Sequence, residues 1–183
     1  MISKAELIEL YFKKENIENL DRYPINLPFF KTNDQLSFHP QVTFFVGENG
    51  TGKSTLIEAI AIRSGFNPEG GSRNFNSNRR ASHSDLHRYI KTSRGVSRCK
   101  DGFFLRSESF YNVATAIENI GDDLIKVYGG KSLHEQSHGE SFWALFFNRF
   151  FGNGLYIFMS LVRKVYKLKP IGKQNCLIFT RIF

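Results

Sequence analysis

Cysteine is almost absent from this chain: only Cys99 and Cys176 occur among 183 residues, and no CxxC spacing joins them. That excludes a disulfide-stapled secreted scaffold and a zinc ribbon, and implies free thiols in a reducing compartment. Missing too is any uncharged apolar run long enough to span a bilayer, and residues 1–20 mix Lys, Glu and Asn with apolar residues rather than forming a secretory leader. A cytoplasmic protein is the expectation. Acidic residues stop at Glu140, and residues 159–183 contain six of the 25 basic residues and no acid. The other 19 basic residues face 17 acidic ones, so the net charge of +8 belongs mostly to the tail and says little about what the domain binds. The locally basic stretch from Arg73 to Lys100 is the best place for a nucleic-acid contact if one exists. At this length, with 41% hydrophobic residues, the chain is one domain able to bury a core.

What is present is a glycine-rich turn in a specific setting. Val42-Thr43-Phe44-Phe45-Val46 is a short apolar strand, Gly47-Glu48-Asn49-Gly50-Thr51-Gly52-Lys53-Ser54-Thr55 follows, and Leu56-Ile57-Glu58-Ala59-Ile60-Ala61-Ile62 continues as a helix. The run fits G-x-x-x-x-G-K-[ST] in the strand–turn–helix context that the motif requires. Glycines let successive N–H groups converge on an anion, and the positive end of the following helix faces the same hollow. Lys53 then reaches the β and γ phosphates as a point charge, Ser54 supplies a hydroxyl for Mg²⁺, and Thr55 lies beside the α phosphate.

The remaining elements are read from periodicity and punctuation. Residues 5–12 read as strand or helix, and Pro24, Pro28 and Pro40 break the next stretch into extended pieces, with a strand at residues 35–38. Together they imply a small N-terminal antiparallel sheet beside a mainly parallel one. Tyr11 and Tyr23 are candidates to stack on a base, or to pack in the core. Residues 66–80 read as a long surface loop, residues 82–90 as a capped helix, and residues 102–106 as a buried strand followed by a helix over 110–120. His83 and His87 stand one helical turn apart, without the intervening Glu or the third ligand of a metal site. Because ligands of open α/β sheets bind at the carboxyl ends of strands, Glu108 is the candidate catalytic carboxylate, with Arg106 second. Residues 121–131 read as a loop, 142–147 as an apolar helix, and Leu155-Tyr156-Ile157-Phe158 as a buried parallel strand.

The phosphate loop, the Asn67-Pro68-Glu69-Gly70-Gly71 loop, Phe103-Phe104-Leu105-Arg106 with Glu108, and His134-Glu135-Gln136-Ser137-His138-Gly139-Glu140 together resemble a bacterial AAA-type ATPase family. Its nucleotide domain is ABC-like, related to the recombination and SMC ATPases, and the resemblance covers residues 17–157. It implies an α/β P-loop NTPase fold that binds ATP and Mg²⁺. Ser137, His138, Gly139 and Glu140 match the family's signature motif. By that resemblance Ser137 and Gly139 contact the γ phosphate held by a second protomer, in a head-to-tail homodimer or heterodimer.

The resemblance also implies a strand ending in Asp-Glu, the Asp supporting Mg²⁺ and the Glu acting on the attacking water. Here Phe158 is followed by Met159-Ser160-Leu161, and the family's later His is absent as well. Asp-Glu-Pro written GAT GAG CCT becomes Met-Ser-Leu when its first G is dropped. The chain therefore reads as a partial ATPase domain over residues 1–158, truncated by a frame shift, and a non-family tail over 159–183. On that reading the strand at residues 155–158 has no partner on one side and is an aggregation edge. The other origin is a natural tail, for which Val162, Val165 and Leu168 stand at helical spacing and Leu177-Ile178-Phe179 is β-prone; a membrane surface or RNA is its conceivable partner. The functional expectation is ATP binding with impaired hydrolysis. The alternatives are a non-catalytic, nucleotide-dependent interaction module in a heterodimer, and a P-loop kinase.

Overall fold

The computed structural model describes residues 6–15, 17–73, 83–96, 99, 101–106, 110–149, 154–159 and 176–182. Glu108 and most of the tail lie outside them. Two sheets organise these residues. Strands β1 (Glu9–Phe12), β2 (Gln35–Ser37) and β5 (Ile90–Ser93) form an antiparallel sheet in the order β2-β1-β5. It is not built from N-terminal residues alone, because its third strand comes from the middle of the chain.

The second sheet has the order β3-β8-β7-β6-β4, with β3 Val42–Gly47, β4 Gly71–Ser72, β6 Asp101–Arg106, β7 Gly154–Met159 and β8 Cys176–Ile182. The pairings β3 with β8, β8 with β7 and β7 with β6 are parallel, and β4 runs antiparallel to β6. Strands buried on both faces read as continuous apolar runs, and the two faces separate by alternation. Leu155, Ile157, Met159, Phe104 and Ile178 share a core with Leu56, Ile57 and Ile60 of helix α2 (Lys53–Arg63). Tyr156, Phe158, Phe103 and Leu105 share another with Phe110, Val113 and Ile117 of helix α3 (Phe110–Ile120). Helices thus cover both faces, and every residue of β7 is buried.

The expected unpaired edge at residues 155–158 does not exist: β7 hydrogen-bonds to β6 on one side and β8 on the other. The partner comes from the tail, whose β-prone Leu177-Ile178-Phe179 segment becomes an interior strand. Five further expectations give way to local physics. Residues 28–32 form a short helix (Pro28–Thr32) instead of extended chain, because Pro is tolerated at a helix start. In place of a helix over 82–90, Asp85–Tyr89 form a 3₁₀ turn running straight into β5, with Leu86 and Ile90 buried and no side-chain cap at Ser84; Ser82 lies outside the described residues. The loop over 66–80 contains β4 and a buried Phe66, and residues 121–131 contain a helix, Asp122–Val127. The apolar helix runs from His138 to Arg149, longer than 142–147.

Candidate functional site

All four parallel strands point the same way, so Gly47, Ile182, Met159 and Arg106 end them along one edge of the sheet, with Gly47 opposite Ile182 and Arg106 opposite Met159. At this edge the chain leaves β3, turns through residues 48–52 and enters α2. Gly52 is the residue before the helix and sits in the left-handed region at φ +84°, as Gly50 does at φ +80°. At Gly52 the freedom is steric as well. A Cβ there would stand 2.6 Å from Phe29 Cε1 and 2.9 Å from both Leu27 methyl carbons. The loop is therefore seated on the short helix at Pro28–Thr32 and needs a bare Cα to sit there.

The first intrahelical bond runs from the Leu56 N–H to the Gly52 carbonyl. Helix geometry leaves the N–H groups of Lys53, Ser54 and Thr55 without intrahelical acceptors, at the positive end of the helix dipole. The Lys53 ammonium folds back over the loop, donating to the Glu48 carbonyl and to Thr51 Oγ1 at 3.1 Å, while Thr51 donates to Glu48 O at 2.9 Å. These acceptors hold the cation over the hollow. Ser54 is exposed, and Thr55 Oγ1 lies 3.0 Å from the hydroxyl of Tyr23. Gly47, Glu48, Asn49, Gly50, Thr51, Gly52, Lys53, Ser54 and Thr55 thus run from the end of β3, through the turn, into the first turn of α2. Backbone N–H groups at the helix start, an ammonium and a neighbouring hydroxyl are a donor set that suits a phosphate chain.

Arg106, at the end of β6, does not face this hollow as a free cation. Its guanidinium donates to Glu58 Oε2 and to the Pro68 carbonyl, both at 2.8 Å, and Glu58 also accepts the Ser84 N–H at 3.2 Å. Both side chains are largely buried, at 16% and 11% exposure, so the pair locks α2 to β6 and to the loop after α2. Sequence reasoning missed Glu58, an acid on the buried face of an apolar helix, and that mismatch was its one signal. Another buried carboxylate, Glu6, is held by Arg73 at 3.0 Å, by the more distant Arg94 at 3.9 Å and by the Cys99 N–H. Burial, with the Glu6 charge next, pushes the Cys99 thiol up to about 11.

The segment Ser137, His138, Gly139, Glu140 opens helix α5 (His138–Arg149) as a capping box. Ser137 Oγ donates to Glu140 Oε2 at 2.7 Å and accepts the Glu140 N–H at 3.3 Å, while the Ser137 N–H donates to the same carboxylate at 2.9 Å. These bonds hold the Glu140 carboxyl below its ordinary range. His134 packs its ring on Tyr111 at 4.3 Å and bonds Thr115 at 3.0 Å, fastening the segment before α5 to α3. The His83 and His87 rings lie 5.4 Å apart, tilted at 52°, and among the described residues no three ligating side chains gather as a metal site. Tyr11 lies in the antiparallel sheet with its hydroxyl on Glu9, whereas Tyr23 stands beside the glycine turn. Among the described residues no helix is long and apolar enough to cross a membrane.

The chain matches the family model described as AAA domain over residues 8–136. No curated protein and no solved structure matches the chain.

Proposed function

Since the chain belongs to the AAA domain family, whose P-loop α/β fold binds nucleotide, we propose that it binds MgATP at the turn between β3 and α2 and hydrolyses it poorly or not at all. The observation that carries the reading is the loop itself: Gly52 before the helix and Lys53 curled back over the turn, beside the helix start whose first N–H groups have no intrahelical acceptors. On binding, Lys53 exchanges the Glu48 and Thr51 oxygens for the β and γ phosphates, Ser54 holds the cation, and Thr55 sits at the α phosphate. Bound Mg²⁺ neutralises phosphate charge and orients the γ phosphoryl group.

Hydrolysis asks for a carboxylate near the attacking water. The strand end beside the loop's own sheet edge carries Met159, 4% exposed and packed in the apolar core, and no Asp or Glu follows Glu140 anywhere in the sequence. The family's ABC-like dimer is part of the same proposal. Ser137 and Gly139 would meet a partner's γ phosphate once the Glu140 carboxylate, now on the Ser137 hydroxyl, has turned away. A partner that supplies carboxylates restores turnover, and one that does not makes the chain a nucleotide-dependent binding module.

Titration calorimetry with MgATP tests the core of this. The wild-type chain is expected to bind and Lys53→Ala to lose at least about tenfold in affinity, as removal of a charge-assisted phosphate contact requires. Single-turnover release of phosphate by the purified chain alone would overturn the hydrolytic part. The two origins of residues 159–183 part at the gene. A frame shift requires that restoring one base at Met159 yield Asp-Glu-Pro and further ATPase sequence, whereas the pairing of β8 on both sides favours a natural tail.

A further inference from the structure

Residues four apart line one side of a helix and lean toward its start, which sets the Glu58 side chain over the turn that carries Ser54. Arg106 meets its carboxylate there, Nη1 at 2.8 Å from Oε2, coming from the end of β6 at the sheet edge shared with Gly47. A guanidinium is thus held about one helical turn from the hollow. The pair is not a finished lock. Arg106 Nε and Ser84 Oγ are both buried without a partner among the described residues, although Glu58 reaches both residues, through Arg106 Nη1 and through the Ser84 N–H at 3.2 Å. Buried polar networks that serve only rigidity normally satisfy their members. The Arg106 bonds to Glu58 and to the Pro68 carbonyl both leave from Nη1, so the two-pronged grip that a guanidinium offers a carboxylate or a phosphate is not used.

We propose that Arg106 is the residue by which this site tells a triphosphate from a diphosphate, and that Glu58 is the counter-ion that holds it back. The inference rests on the MgATP reading above. When a triphosphate enters, Arg106 turns its fork from the single Glu58 oxygen to two oxygens of the γ phosphate, a grip that suits a planar guanidinium. A diphosphate ends short of that reach and leaves the ion pair closed. Opening the pair strips a buried carboxylate of its cation, which offsets part of the gain. The Ser84 N–H stays on Glu58 Oε1 and limits that cost.

Titration calorimetry of the full chain with MgATP and with MgADP tests this. Arg106→Gln is expected to weaken MgATP about tenfold, the loss of a charge-assisted contact, and to leave MgADP within about twofold. Glu58→Gln releases Arg106 and is expected to act with the opposite sign, tightening MgATP about threefold at unchanged MgADP affinity. A lock alone has no such reversal: both variants would then weaken both nucleotides in parallel, and that result overturns the proposal. So does an unchanged ratio of the two affinities in Arg106→Gln. Where a single variant leaves a buried charge unpaired and does not fold, Glu58→Gln combined with Arg106→Gln removes both charges and is judged by the same ratio, which should fall about tenfold. A wild-type chain that binds neither nucleotide sinks the MgATP reading and this one with it, whereas a chain that binds MgATP and MgADP equally tightly sinks only the role of Arg106.

Discussion

At the scale of single residues the phosphate loop is defined by what cannot be added to it. Gly52 combines a left-handed backbone with contacts under 3 Å to any Cβ, from Leu27 and Phe29. Gly52→Ala is expected to cost about 2 kcal/mol or more, part from the left-handed backbone and part from overpacking. A lowered urea midpoint, together with weakened MgATP binding, checks it; Gly50, with open space around its Cα, should tolerate Ala better in packing. Cys99 makes a second case. With its thiol pushed up to about 11, only about a thousandth of it is thiolate at pH 8, against about a quarter of an ordinary thiol. In a Cys176→Ser chain, alkylation of Cys99 at pH 8 is therefore expected to be over a hundredfold slower than that of a model thiol, and unfolding should remove the difference.

Among the elements, helix α5 shows how one segment carries two meanings. Serine followed three residues later by glutamate is a capping box by local chemistry, and the same residues resemble a signature motif. The Glu140 carboxyl is held below its ordinary range by Ser137, so the folded form binds its proton less readily than the unfolded one. Its contribution to stability is complete above the ordinary carboxylate range and is lost as pH falls through the lowered value. Glu140→Gln should flatten that part of the acid limb in a pH series of thermal unfolding. An unchanged acid limb would mean that the box is not formed in solution.

The sheet's apolar runs and the glycine turn were legible because their signals are local: a run of four or five apolar residues, glycines at fixed spacing, a Lys-Ser pair at a helix start. What escaped was set by distance or by punctuation that pointed the wrong way. Gly121 and Gly129-Gly130 bracket six helical residues and made them look like loop, and Pro28 hid a helix start among extended prolines. The role of Arg106 depends on Glu58, 48 positions earlier, and no pattern in either neighbourhood announces the pair. Strand β8 was visible as a β-prone triplet, but parallel pairing has no turn to name its partners, so its place between β3 and β7 was not readable.

For the whole molecule, that strand is the joint between the two halves of the nucleotide edge. Ile178 is fully buried and lies opposite Ile157 on one side and Thr43 on the other. Ile178→Ala is expected to cost about 3 kcal/mol, as truncation of a buried aliphatic side chain does, seen as a fall in denaturation midpoint. MgATP binding should disappear in the same transition, because β3 carries the loop and, among the described residues, reaches the rest of its sheet through β8. Binding that outlasts the loss of β8 would show that the loop is held by the antiparallel sheet and α2 without it.

The same arrangement fixes the order in which the protein is made. Strand β3 leaves the ribosome early with its glycine turn, and its sheet partner among the described residues begins at Cys176. Until then β3 waits with an open edge, joined in this by β7 only once Gly154–Met159 has been made. The hollow that receives phosphate is thus encoded near the beginning and braced near the end, and a nascent chain stalled between them is a natural client for chaperones.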